Sequence, residues 1–436
     1  MIKKLTRGKA NEAFLKDNFV RSSLLLIAFT LALVANLIRG FSESHSPDSF
    51  DYLTQGGYLS QNLSWIFANP DKFTKPLGLP VLVGLFDSLL GSNGIVGLKL
   101  LFCSLHAATV LLAYKICLLL LIQKRIALIC ALVIAADPLI LMSTSDVMTE
   151  TFATFSITFW VYWALLKFNR IEIDKSIKFS FVLSSIATIT MRPNFFFVLL
   201  GIILVVAVFS RPNLSGIGVE VGVTFLILLI YEVGVSVFYG GFIFLAPGSG
   251  LGIYFFCKGN LIPQSLGVIS SEKNSELNMW VLQSLKNQGE LFFQHDQGSS
   301  MIDFNRFLTE SAISYCLANP IEGGLTILAR IFGIWRPYLA FGAYPPIIFL
   351  FVSCILMLFA FYFIKFTLKS KDQLERFFYY LFLSSSIMFT FSVLVTPAQA
   401  RHRIAFSETL QWIIVFLVFS AKRNAKNEKM EIEKSI

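Results

Sequence analysis

Acidic and basic residues are scarce in this sequence, and several of them stand at the ends of long apolar stretches. The acids of this kind are Asp48, Asp51, Asp146 and Glu150, and the cations are Lys75, Arg192, Arg401 and Arg403. A carboxylate beside a hydroxyl can remove its proton as a general base. Cations can bind a phosphate leaving group and stabilise its developing charge. These residue types suit the transfer of a group from a lipid phosphate to an acceptor hydroxyl.

The segment Pro47–Tyr52 is typical of a helix start, with Asp48 or Ser49 as the N-cap. In such a helix Asp48 and Tyr52 lie four residues apart and share one face. Capping by itself would account for Asp48, so a structural and a catalytic role both stay open for this acid. In the catalytic interpretation, Asp51 and Tyr52 contribute to substrate binding.

Asp146 and Glu150 stand four residues apart at the start of a later apolar stretch. Ser145 or Asp146 could cap a helix there, and one acid suits the positive helix end, but two exceed what capping needs. Ionisable residues at membrane depth cost roughly 2.5–3.5 kcal/mol on insertion scales and tend to be functional. Lys75 and Arg192 have two interpretations as well, because either can reach the membrane interface or bind a phosphate.

Composition determines the class of protein that must position these residues. Of 436 residues, 55% are hydrophobic and 14% are charged, and the mean hydropathy is +0.69. Soluble domains carry about 25% charged residues, so a disordered chain, a disulfide-rich module, a coiled coil and a cytosolic enzyme are excluded. We expect an all-α polytopic membrane protein with about 10 (10–12) transmembrane helices. The candidate spans are 22–39, 95–121, 126–143, 147–166, 178–191, 194–209, 217–239, 346–367, 376–396 and 404–420.

The basic residues predict the orientation of these spans and explain most of the net charge of +9. They concentrate in segments 1–21, 124–125, 167–178, 211, 365–376 and 422–434. This pattern favours cytoplasmic termini and adhesion to anionic lipid rather than nucleic-acid binding. The cluster Arg401-His402-Arg403 falls on the outer side, where the rule expects few cations, so it requires a phosphate or an acidic partner such as Glu408.

The same topology predicts five regions. They are a cytoplasmic tail (1–21), an N-terminal transmembrane catalytic core (22–239) with outer loop 40–93, an outer region with amphipathic helices (240–344), C-terminal transmembrane helices (345–420) and a second tail (421–436). Segments 77–90 and 325–341 are expected to lie along the membrane surface. Cys257 and Cys316 fall in the outer region and could pair there. Neither a metal-binding histidine pattern nor a phosphate-binding loop motif occurs in the sequence.

The ordered set of motifs resembles the GT-C fold membrane glycosyltransferases, similar to bacterial relatives of protein O-mannosyltransferases and the lipid A aminoarabinose transferase. The resemblance covers about residues 20–420. The motifs that carry it are Pro47–Tyr52, Lys75–Pro80, Asp146 with Thr149-Glu150, Arg192-Pro193, Asn319-Pro320, Trp335-Arg336-Pro337 and Arg401-His402-Arg403.

The resemblance implies inverting transfer of a sugar from a polyprenyl-phosphate donor to a lipid, glycan or protein hydroxyl on the non-cytoplasmic face. Asp48 would be the general base, and Glu150, less directly Asp146, would position the acceptor. The carrier phosphate would be bound by Lys75, Arg192, Arg401 and Arg403, with His402 beside them. No cofactor is required, although a divalent cation stays open, and a bacterial inner membrane is the expected location.

Two other functions stay open at this stage. An O-antigen polymerase or ligase would use a diphosphate-linked oligosaccharide, and a transporter or flippase would move a lipid-linked sugar without a covalent product. A transporter would require polar residues buried at mid-span or broken repeats. Most predicted spans are uninterrupted, which favours the transferase.

Overall fold

The computed structural model describes residues 18–44, 46–61, 75–209, 218–238, 301–321, 323–325, 372–394 and 408–420. Every regular element in these ranges is a helix, which confirms the all-α class. The helices are α1 (Asn18–Arg39), α2 (Pro47–Gln61), α3 (Gly78–Leu90), α4 (Gly94–Leu119), α5 (Lys124–Ala135), α6 (Pro138–Thr144), α7 (Glu150–Phe168), α8 (Lys175–Met191), α9 (Phe195–Phe209), α10 (Gly218–Phe238), α11 (Met301–Ala318), α12 (Gln373–Leu394) and α13 (Thr409–Ser420).

The expected number of membrane spans is wrong for the part of the chain that the structure describes. Three stretches are long and apolar enough to cross a membrane, namely α1, the continuous run Gly78–Leu119, and α10. A fourth results if α5 and α6, which meet at a bend of 51°, are counted as one broken span. Several segments predicted as spans form short helices instead, such as α8 with 17 residues and α9 with 15. The predicted span 346–367 lies outside the described residues.

Asp137 produces the break between α5 and α6. Its Oδ1 accepts hydrogen bonds from the backbone N–H groups of Leu139 (2.9 Å) and Ile140 (3.1 Å), which starts α6 with Pro138 in its first turn. Its Oδ2 accepts a hydrogen bond from Trp412 Nε1 at 2.7 Å. One buried carboxylate therefore starts a new helix and fastens α13 to it.

Helix α7 lies in the middle of the bundle and packs against α4, α8 and α9. Its Trp160 and Trp163 are fully buried, and the Trp163 ring lies 4.3 Å from that of Phe181 on α8. At the end of α7, the Phe168 ring stacks on Phe377 of α12 at 4.2 Å. Much of the aromatic content therefore fills the interior, where large rings bury the most apolar area per residue.

Two glycines allow α2 and α3 to approach each other closely. A Cβ atom on Gly56 would overlap the side chain of Val83, and one on Gly84 would lie 2.9 Å from the carbonyl oxygen of Gly56. Helix α3 is the element expected near residues 77–90, and a short 3-10 turn, Gly91–Asn93, joins it to α4. The backbone contact holds α2, which carries Asp48 and Tyr52, firmly against α3.

This contact predicts different effects for two adjacent glycines of α2. Gly56→Ala should lower the free energy of unfolding by about 1–3 kcal/mol, because the added methyl group has no room. Gly57→Ala is the matched control, since a Cβ there meets no described atom within 4 Å. It should be neutral or stabilise by about 0.5–1 kcal/mol. Thermal unfolding of the purified proteins in detergent measures both, and equal effects would contradict the packing.

Candidate functional site

Seven of the predicted site residues come together at one end of the bundle, where α1 ends and α7 begins. We call this the site end. The seven are Asp48, Asp51, Tyr52, Lys75, Asp146, Glu150 and Arg192, and they occupy α2, the turns before α3 and α7, the first turn of α7 and the turn after α8. A hydrogen bond of 3.0 Å from Arg39 Nη1 to Ser145 Oγ joins the end of α1 to the turn before α7.

Lys75 is bound to the acids of α2. Its Nζ lies 2.7 Å from Asp48 Oδ1, 3.3 Å from Asp51 Oδ2 and 5.9 Å from the centroid of the Tyr52 ring. Burial alone would lower the pKa of Lys75, but the charge and hydrogen bond of Asp48 outweigh burial and raise the pKa. Lys75 is therefore cationic at neutral pH. The Asp48 side chain is 31% exposed, so its carboxylate is accessible from outside the bundle.

Arg192 and Glu150 form a second ion pair, deeper in the bundle. Arg192 Nη1 lies 3.0 Å from Glu150 Oε1, and the two side chains are 13% and 4% exposed. The turn after α8 places Arg192, whose backbone N–H donates to the Thr188 carbonyl at 2.7 Å and whose guanidinium lies 5.8 Å from the Phe195 ring centroid. Removing either partner would leave the other charge buried without this ion pair, which is strongly unfavourable.

Tyr52 links the two ion pairs electrostatically. Its side chain is buried, and burial is the main reason that its pKa is raised. The charges of Arg192 and Lys75 oppose this shift, and those of Glu150 and Asp48 add to it. All four charges therefore act on the Tyr52 hydroxyl, which keeps its proton at neutral pH and is available as a hydrogen-bond donor.

Asp146 fastens the chain that leads into α2. Its Oδ1 accepts hydrogen bonds from Ser49 Oγ at 2.7 Å, from Ser44 Oγ at 3.3 Å and from the backbone N–H of Val147 at 3.2 Å. The side chain is buried. Because Ser49 follows Asp48 directly, these bonds orient the first turn of α2, and the geometry gives Asp146 a positioning role.

The cap expected for α2 is wrong. The helix begins at Pro47, so Asp48 and Ser49 lie within its first turn. Proline suits this position because its missing N–H would have no partner in a first turn anyway. The side chains expected to cap the helix bind distant residues instead, Asp48 contacting Lys75 and Ser49 contacting Asp146.

The cap expected for α7 is also wrong. The helix begins at Glu150 with Thr149 in the N-cap position, so neither Ser145 nor Asp146 caps it. Ser145 instead terminates α6, where its hydroxyl donates to the Met142 carbonyl at 2.8 Å. Glu150 is in the first turn, as expected for an acid near a positive helix end.

Lys99 was not among the predicted site residues, although it supports the site. Its side chain is fully buried, and its Nζ donates to the carbonyl oxygens of Gly40 (3.0 Å) and Glu43 (2.7 Å). Gly40 has a φ of +86°, which favours glycine, so the chain turns sharply after α1 and returns to α4. The sequence feature that could have identified Lys99 is its position near the start of an otherwise apolar stretch.

Other predictions fall wholly or partly outside the described residues. These are the Arg401-His402-Arg403 cluster, the Trp335-Arg336-Pro337 motif, the segment 325–341 beyond residue 325, and Cys257. Cys316 is disulfide-bonded, whereas Cys103, Cys117 and Cys130 are free and buried. Within the described residues, no group of three His, Cys, Asp or Glu side chains could hold a metal ion.

Comparisons with protein-family models, curated proteins and solved structures find no match. The resemblance to the GT-C glycosyltransferases therefore rests on the sequence motifs and stays a prediction.

The buried ion pair predicts strong coupling between Arg192 and Glu150. Arg192→Gln should lower the free energy of unfolding by about 3–5 kcal/mol, because Glu150 then stays buried without its cation. Adding Glu150→Gln should recover part of that loss, since the buried charge is removed as well. Denaturant titration of the two single variants and the double variant in detergent measures the coupling.

An exposed pair on α11 provides the control. Arg306 Nε lies 3.0 Å from Glu310 Oε1, the same separation, but both side chains are largely exposed. Arg306→Gln should cost no more than about 0.5 kcal/mol. If the Arg192 and Arg306 variants lose the same stability, burial does not strengthen the first pair.

Proposed function

We propose that this protein is an integral membrane glycosyltransferase of the GT-C type, which transfers a sugar from a polyprenyl-phosphate donor to an acceptor hydroxyl with inversion. The observation that supports it most is the contact of 2.7 Å between Lys75 Nζ and Asp48 Oδ1. The proposed base and a proposed phosphate-binding cation, which are 27 positions apart in the chain, share one partly exposed site. Such a site can take the proton of the acceptor hydroxyl and also bind the leaving phosphate.

Asp48 is the proposed general base. The acceptor oxygen forms a bond to the anomeric carbon, the bond from that carbon to the phosphate oxygen breaks, and the phosphate leaves with the electron pair. Asp48 takes the proton of the acceptor hydroxyl. Because Lys75 is bound to Asp48, the donor phosphate has a second effect when it binds. It competes for the ammonium group of Lys75 and thereby releases the carboxylate.

A phosphate can compete in the same way for Arg192 in the second ion pair, which is more deeply buried. Arg192 can bind a phosphate through two parallel hydrogen bonds, and Glu150 then becomes free to orient the acceptor. Tyr52 lies within the field of both pairs and retains a proton to donate. Arg401, His402 and Arg403 complete the proposed phosphate-binding set, as the motif resemblance implies.

Membrane association fits this donor, because a polyprenyl chain stays in the bilayer while its phosphate reaches the interface. In the described part of the chain, three stretches are long and apolar enough to span a membrane and would anchor the protein there. We place the site end on the non-cytoplasmic side, since the basic segments 124–125 and 167–178 adjoin the opposite helix ends. A bacterial inner membrane with the site facing the periplasm is the proposed location.

The proposal predicts that Asp48→Asn abolishes transfer. Loss of a general base should lower the turnover rate by roughly 10²–10⁴-fold, while the protein still folds and inserts. Asp51→Asn is the matched control, since it removes the same charge from the same helix at a longer distance from Lys75. Because Asp51 is proposed to bind substrate and not to take the proton, its loss should raise KM more than it lowers the turnover rate. The assay incubates purified protein with polyprenyl-phosphate sugars and detects glycosylated acceptors by mass spectrometry.

The same assay separates the proposal from its alternatives. An active Asp48→Asn protein would remove the base assignment. Products obtained only from a diphosphate-linked oligosaccharide would indicate a polymerase or ligase. Movement of the lipid-linked sugar across a vesicle membrane without any covalent product would indicate a transporter.

A further inference from the structure

Two cations and a tyrosine meet at the end of the bundle opposite the site, here called the far end. Arg21 belongs to the first turn of α1, about 27 Å from Arg39 at 1.5 Å per residue. Lys115 belongs to the last two turns of α4, and its Nζ lies 5.6 Å from the centroid of the Tyr162 ring on α7. Helix α1 packs along α4, and the charge of Arg21 acts on both Lys115 and Tyr162, so the three side chains lie near one another.

Among the described residues, this cluster has an excess of positive charge. No carboxylate of the described residues forms an ion pair with Arg21 or Lys115, and Arg21 Nη2 is buried without a hydrogen-bond partner. Asp174 is the acid whose charge reaches Tyr162, but its Oδ1 already accepts from the backbone N–H of Ile177 at 2.8 Å. Two like charges held close together repel each other, so an anion from outside the chain would stabilise them.

Lys167 provides a comparison at the same end of α7. Its Nζ lies 2.7 Å from Glu220 Oε1 and 5.6 Å from the Trp163 ring centroid, and Trp163 Nε1 donates to the same carboxylate oxygen at 3.2 Å. This third cation is fully compensated within the protein. Among the described residues, such an acid therefore lies beside Lys167 but not beside Arg21 or Lys115.

The surface beside the cluster is apolar. Leu25, one turn after Arg21 on the same side of α1, is 36% exposed, and α1 as a whole is a candidate membrane span with little of its surface buried in the bundle. In a membrane this face of α1 contacts acyl chains. A ligand that satisfies both features has a negatively charged head at the level of Arg21 and hydrocarbon chains along α1.

We propose that Arg21 and Lys115 bind the phosphate of an anionic membrane phospholipid, whose acyl chains lie along the exposed face of α1. The guanidinium of Arg21 can donate two parallel hydrogen bonds to phosphate oxygens, and the ammonium of Lys115 adds a point charge. The ammonium group of Lys115 lies over the ring of Tyr162. This site is separate from the proposed transferase site and does not depend on that function.

The test uses native mass spectrometry of the full-length protein in detergent, titrated with phosphatidylglycerol. The variant Arg21→Gln/Lys115→Gln should bind this lipid roughly 30-fold more weakly, because the loss of each cation near a lipid surface lowers the affinity about fivefold. Lys175→Gln/Lys178→Gln is the matched control, since it removes two charges from exposed positions at the same end. It should leave the affinity within about twofold of the original.

Further measurements identify the source of the phosphate and verify that the variants are folded. Lys115→Arg keeps the charge and should keep the binding, with unfolding temperatures verifying that all variants are folded. Phosphatidylcholine should bind at least tenfold more weakly than phosphatidylglycerol. The proposal is overturned if both double variants lose affinity equally, if folded Arg21→Gln/Lys115→Gln binds like the original, or if inorganic phosphate binds as tightly as the lipid.

Discussion

The cost of removing a charge from water governs the arrangement of this bundle. Glu150 begins α7, whose tryptophan and phenylalanine side chains pack in the interior of the bundle. The Glu150 side chain is almost completely buried. Arg192, from the turn after α8, supplies an opposite charge at 3.0 Å, which offsets part of the cost of burying the carboxylate. Opposite charge also holds Lys75 against Asp48, in a more exposed position, and both pairs have a common neighbour in Tyr52. The charged cluster at the site end thus also determines how α2, α7 and α8 meet.

Backbone geometry then decides how firmly the cluster is held. The close approach of α2 and α3 at Gly56 and Gly84 leaves little freedom to the helix that carries Asp48. The chain between α1 and α2 is held at two further points. Ser49 donates a hydrogen bond to Asp146, and Lys99 donates one to the carbonyl of Gly40. A preorganised cluster of this kind suits catalysis, because the charges do not have to be assembled during the reaction.

The sequence predicted the helical class and the approximate positions of most described helices, because apolar runs and their polar ends are local features. For the described part of the chain it overestimated the number of spans, since average hydropathy does not show that Asp137 starts a new helix or that α8 ends at Arg192. The expected caps failed for a related reason. Ser49 and Asp146 are good capping residues in isolation, but each found a stronger partner almost a hundred residues away.

What the sequence determined by itself was the set of ionisable residues at the ends of apolar stretches, and hence the end of the bundle on which they would gather. Only the tertiary structure decided the pairing, with Lys75 on Asp48, Arg192 on Glu150, and Arg21 beside Lys115 without an acid among the described residues. Spacing along the chain carries no information on which helices become neighbours. Electrostatic pairing depends on separations of a few ångströms, and those exist only once the helices have packed.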